Sequence, residues 1–285
     1  MLDALQYPFV LNALYAGSFV AIVAAVIGYF MIARGLTFAG HALPNIGFAG
    51  AAGAVLLGID PVYGLFAFTL LAAAGIGMLG RAARERDISI GILMTFALGL
   101  GLAFLALYSG YAERVYSILF GTILGISQQD VLITAITSLL TVAVILALFR
   151  PLLFSTFDPI VAEARGVPVQ MLGMFFLLLT AISVSLSIQV TGALLVFTLL
   201  VGPAATAIRI ARSPLWAIIS AIVLGLLYTW LGILLAVQNG EWPVSFYIAT
   251  IAFVVYLPVR LLSPLWAGRA SREPAKIGHA GHAHL

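Results

Sequence analysis

The residue of this chain best placed to do chemistry inside a hydrophobic run is His41, in Gly40-His41-Ala42-Leu43-Pro44-Asn45. Neutral imidazole is a good ligand for Zn²⁺ and acceptable for other transition metals, while the amide oxygen of Asn45 is a weak one. Their four-residue spacing stacks the two side chains on one face of a helix. Pro44 has no N–H and clashes with the Gly40 carbonyl, which favours a kink or a helix start at this point. Polar side chains beside a broken helix are the usual build of a transporter site at membrane depth. Alternatively, His41 sits at the membrane interface, bonded to headgroups or a loop, with Pro44 in the first helical turn.

A second polar stripe, Thr180, Ser183, Ser187 and Thr191, recurs at helical spacing with Gln189 nearby. Hydroxyls on one face can line a water-filled path. They can equally bond their own i−4 carbonyls or hold helices together. In the C-terminal tail His279, His282 and His284 are spaced for loose chelation of a divalent metal, or form a mobile polar tail. Cysteine is absent, which excludes disulfides and thiolate sites. The only lysine is Lys276, followed by Ile277, so no nucleotide-binding P-loop exists. With no paired carboxylates in an apolar run and no protease or esterase motif, the chain has the make-up of a transport subunit rather than an enzyme.

The elements that must carry these residues are apolar. Hydrophobic residues make up 63% of the 285, charged residues 8%, against about 25% charged in ordinary globular proteins. Mean hydropathy is +1.18. Runs at 10–32, 41–58, 61–80, 88–108, 130–149, 170–189, 192–208, 214–237 and 244–262 predict nine crossings in an all-α, polytopic fold, each near the ~20 residues a span requires. The shortest, 41–58 and 192–208, are also rich in Gly or Pro. Alternating sides from an outside N-terminus puts Arg34, Arg81, Arg84, Arg86, Arg150, Arg165, Arg209, Arg212, Arg260, Arg269, Arg272 and Lys276 inside, with only Arg114 outside. Cytoplasmic loops carry the Lys/Arg excess, so this split predicts an inner-membrane protein with its N-terminus out and C-terminus in. Residues 1–268 read as one membrane domain and 269–285 as a cytoplasmic tail without fixed structure. The basic balance suits lipid headgroups rather than nucleic acid. The acidic residues cluster in loops, so an ion-coupled pump lacks its carboxylate and energy for transport must come from elsewhere.

The cytoplasmic loop 150–169 predicts a short helix capped by Ser155 or Asp158, running through Glu163 and stopped at Gly166. Its surface would mix Phe157, Ile160, Val161 and Arg165. Such a helix can rest on the membrane or insert into a groove on a cytoplasmic partner.

Several blocks, in this order and spacing, resemble the membrane permease subunit of metal-ion ABC importers of the zinc/manganese type. They are Gly35–Gly50, Asp87–Ile92, Leu119–Leu124 with Asp130, Asp158-Pro159 with Ala164–Val167, and Thr191–Leu195 through Pro203–Ala207. The resemblance implies a fold related to the cobalamin and siderophore importers, and a homodimer or a pair with a sister permease. It also implies an extracytoplasmic solute-binding protein and a bacterial cytoplasmic subunit that binds ATP. A divalent metal would be the substrate, with no permanently bound cofactor. Residues 155–166, with Phe157, Asp158, Glu163, Arg165 and Gly166, would couple the ATPase to the membrane helices. The family's second helix typically places Asp and His where this chain has His41 and Asn45, which implies a weak, transient metal site or a different substrate. An ATP-independent ion carrier or channel, or a structural anchor, are the rival classes.

Overall fold

The computed structural model describes residues 7–79, 83–108, 125–239 and 242–270. All nine apolar runs fold as helices, and no strand occurs among the described residues. In chain order they are α1 (Pro8–Ala33), α2 (Thr37–Leu56), α3 (Pro61–Met78), α4 (Ala83–Leu107) and α5 (Gln128–Ala147), then two short helices, α6 (Phe149–Phe157) and α7 (Pro159–Ala164). The long helices resume with α8 (Val169–Thr191), α9 (Ala193–Ile210), α10 (Pro214–Asn239) and α11 (Val244–Ala270). Local chemistry sets the boundaries. Prolines open α1, α3 and α7, where a missing N–H costs nothing. Asp60 caps α3, and Ser127 with Asp130 forms a reciprocal capping box on α5. Gly192 adopts φ +83°, which breaks the chain between α8 and α9 without Cβ strain.

Seven of the nine, all but α2 and α9, are long and apolar enough to cross a membrane. The nine crossings predicted from the runs therefore correspond to nine helices, of which seven qualify by length and composition. In α2 the reason is visible: His41, Asn45 and a set of glycines dilute its apolar content. In α9 the apolar stretch is the short Leu195–Ile210.

Packing contacts give each long helix a direction. Gly50 and Gly64 face each other backbone to backbone, and Gly47 lies beside Thr69, so α2 and α3 are antiparallel. Arg86 donates to the Gly35 carbonyl at 2.8 Å and Asn45 approaches Met94, which makes α4 parallel to α2. Thr69 pairs with Ser185 at 2.6 Å and Gly77 meets Met174, so α8 opposes α3. Gly17 beside Thr229 and Ala21 beside Gly225 oppose α1 and α10. Gly202 beside Ala252, and Arg209 beside Tyr256 and Ser263, align α9 with α11. Asn12 reaches the Ile126 carbonyl at 3.1 Å, bringing the start of α5 to the start of α1. Followed along the chain, successive long helices reverse direction.

One end of the bundle consequently gathers Arg34, Arg86, Arg150, Arg165, Arg209, Arg212 and Arg260. The core lies around α1, the most buried of the seven, with α8 next; α4 and α11 are the least buried. Their outward side chains, such as Ile92 and Phe96 on α4 and Phe253 and Val254 on α11, are apolar, as a lipid-facing surface requires.

Candidate functional site

Helix α2 starts at Thr37, so Pro44 lies well inside it rather than in its first turn. That excludes the arrangement in which Pro44 merely opens the helix. The Pro44 nitrogen cannot donate to the Gly40 carbonyl, and the ladder is interrupted there. One residue further on, the Asn45 amide donates to the His41 carbonyl at 2.8 Å and lies 3.8 Å from the Met94 sulfur of α4. The helix thus holds Asn45 against its own backbone.

His41 is exposed on the outer side of the chain, and its ring meets Phe197 of α9 edge-on, centroids 4.9 Å apart. It opens on a recess of about 410 Å³ lined also by Gly35, Thr37, Phe38 and Asp87. Asp87, at the start of α4, is half-exposed, with one carboxylate oxygen buried and without a hydrogen-bond partner. The sequence brought His41 and Asn45 together but did not single out Asp87 or Phe197 as site residues. The one available signal was that Asp87 heads a block shared with the metal-importer permeases. Among the described residues no three His, Cys, Asp or Glu side chains converge. One chain therefore offers an imidazole and a carboxylate on a common recess, which suits passage of a cation better than its retention.

The hydroxyl stripe turns inward. Thr180, Ser183 and Ser187 are at most 3% exposed and donate to the carbonyls four residues earlier, at 2.8, 2.9 and 2.7 Å. Thr191 does the same at 2.9 Å. Of the arrangements the sequence left open for Thr180, Ser183 and Ser187, the single chain shows bonding to the carbonyls of their own helix. Buried hydroxyls without water must bond to protein, and the i−4 carbonyl is the nearest acceptor.

The loop between α5 and α8 folds as α6 and α7. Asp158, not Ser155, caps α7, accepting from the Val161 N–H at 3.0 Å. Gly166, at φ +81°, ends it. Ser155 is instead buried in α6, where it and Thr156 receive the Arg34 guanidinium. Only Ala162 of α7 is buried. Phe157, Ile160 and Val161 are 65, 77 and 41% exposed, and Glu163, Arg165 and Gly166 also face solvent. This is an apolar, cap-stabilised knob at the arginine-bearing end. His279, His282 and His284, Arg114 and the Leu119–Leu124 block lie outside the described residues.

A bundle of alternating apolar helices with a polar break in α2 and an exposed knob at the arginine-bearing end defines a multi-pass membrane permease. The chain belongs to the ABC 3 transport family, whose model matches residues 6–263. It is 30% identical to the manganese transport system membrane protein MntC of Halalkalibacterium halodurans, over 94% of each chain. It is 35% identical to the manganese import system permease protein ScaB of Streptococcus parasanguinis, over 74% of this chain and 75% of that one. Among solved structures, PsaBC from Streptococcus pneumoniae in complex with Fab superimposes with a TM-score of 0.80 at 28% identity, covering 93% of this chain and 98% of that chain. The class expected from the sequence blocks, a metal-ion ABC importer permease, is the class these relatives define.

Proposed function

We propose that this chain is the membrane-spanning subunit of an ATP-driven importer that carries a divalent transition metal into the cytoplasm. The observation that carries this reading is the end-to-end similarity to a manganese transport system membrane protein. Manganese is accordingly the first substrate and zinc the second. Ligand chemistry alone leans the other way, since imidazole suits zinc and an amide is a poor donor. The Asp87 carboxylate, which shares the His41 recess, supplies the hard oxygen that manganese prefers.

The chain has no P-loop, so a separate cytoplasmic ATP-binding subunit supplies the energy. It docks on residues 155–166, where Phe157 and Ile160 are the anchors. A solute-binding protein delivers the metal from outside, and a second copy or a sister permease completes the path. All nine long helices cross the bacterial inner membrane, with the N-terminus out and the arginine-bearing end in the cytoplasm. The alternating helix directions and the gathering of arginines support this topology.

The test is uptake of manganese, zinc, iron and cobalt by cells with and without the chain, in the presence and absence of the ATPase subunit. Uptake of one of these metals that needs both proteins is the expected result. Uptake unchanged for all four metals, or indifferent to the ATPase, would exclude the proposal.

A further inference from the structure

A second cavity, of about 450 Å³, lies where α1, α3, α4, α6 and α8 end at the arginine-bearing end of the bundle. Its polar lining is Arg34, Arg86, Ser155, Thr156 and Gln170. Leu36, Ile76 and Leu177 supply an apolar floor, and none of the described lining residues is Asp or Glu.

Both guanidiniums are held in place, Arg34 by uncharged partners and Arg86 as an ion pair with Asp87. Arg34 donates through Nε to Thr156 Oγ1 at 2.9 Å and through Nη2 to Ser155 Oγ. It also lies 5.6 Å above the Phe176 ring. All three partners are uncharged. Burial lowers its pKa to about 10, so it remains a half-buried cation at neutral pH. Gly173, lacking a side chain, leaves room beside Nη1. Arg86 donates through Nη2 to the Gly35 carbonyl at 2.8 Å. Its Nε is buried with no hydrogen-bond partner, and the nearest carboxylate oxygen, on Asp87, is 3.8 Å away. Leaving such a donor unmet costs about 1–3 kcal/mol, and more when it is charged.

We propose that this cavity binds a phosphate group, with Arg34 and Arg86 as its charged partners and Gln170 as a neutral donor. Two guanidiniums present planar forks that match phosphate oxygens, and Arg34, which has no carboxylate partner, carries the unbalanced charge. A phosphodiester of an anionic phospholipid fits the amphipathic wall at the end of the spans; free inorganic phosphate offers the same oxygens. The consequence for the fold is mechanical. Arg34 fastens α6, and through it α7, to the turn that leads into α2, so a bound phosphate would brace the joint between the exposed knob and the His41 helix. The proposal is independent of which cation the chain carries.

The test uses the purified full chain, stripped of lipid in detergent. Native mass spectrometry measures retention of phosphatidylglycerol against phosphatidylcholine, and thermal unfolding measures the effect of millimolar inorganic phosphate. One phosphatidylglycerol per chain, held at least about tenfold more tightly than phosphatidylcholine, supports the lipid as source. A phosphate-dependent rise in Tm without lipid selectivity supports soluble phosphate. In either case Arg86→Gln should reduce binding about tenfold. Gly173→Leu fills the space beside Arg34 without removing a charge, should reduce binding similarly, and serves if Arg86→Gln fails to fold. Equal retention of both lipids with no phosphate effect overturns the proposal, as does undiminished binding in the variants.

Discussion

At the scale of the residue, His41 concentrates the chemistry. It is the only histidine among the described residues, it is exposed, and it shares its recess with a carboxylate. If metal passes here, imidazole must act as a neutral ligand. His41→Leu keeps the bulk and removes the nitrogen, and should cut metal uptake per assembled transporter by about tenfold or more. His41→Asp puts a second carboxylate on the recess, and should preserve uptake or shift it toward oxygen-preferring manganese. Parental uptake of all four metals by the Leu variant would show that the metal passes elsewhere. Asp87→Asn removes the other charged donor and should impair manganese more than zinc in the same assay.

At the scale of the element, two kinds of contact decide function and stability. The first is the α7 knob, whose exposed Ile160 has no role in the packing of the chain itself. Ile160→Asp should abolish copurification with the ATPase subunit while leaving the detergent-solubilised chain as stable as the parent. Undiminished copurification would remove α7 from the docking surface. The second is helix apposition through glycine. A Cβ on Gly28 would collide with the Leu200 carbonyl, and backbone cannot yield as a flexible side chain does. Gly28→Ala should therefore cost about 1–3 kcal/mol, read as a lowered Tm in detergent. Gly75→Ala on α3 meets nothing within 4 Å, so it should leave Tm unchanged or raised.

At the scale of the whole molecule, the alternating bundle makes a topological prediction that the cysteine-free chain is well suited to test. Single cysteines at Ile160 and Tyr63 sit at opposite ends, and both positions are exposed. An impermeant thiol reagent added outside intact cells should label the Tyr63 position and spare the Ile160 position until the membrane is opened. The reverse pattern would invert the orientation.

What the sequence by itself determined is the local and the compositional. Nine apolar runs became nine helices because a backbone without water must bond within its own segment. Asp158 and Gly166 bounded the knob because caps act over a few neighbouring residues. Tertiary structure alone decided which faces meet. A helix that is hydrophobic all round carries no stripe to say what it packs against, and helices in lipid associate through small residues and hydrogen bonds rather than through contrast with water. Hence the stripe at Thr180, Ser183 and Ser187 could be read from sequence as facing a path or as bonding its own helix, and only the fold shows it buried within the chain. Asp87 and Phe197, remote in the chain, reach His41 only because α2 lies parallel to α4 and packs against α9. The cavity of Arg34 and Arg86 was likewise hidden in the sequence, where both counted only as loop charges; the ends of five helices had to meet before two arginines became a site.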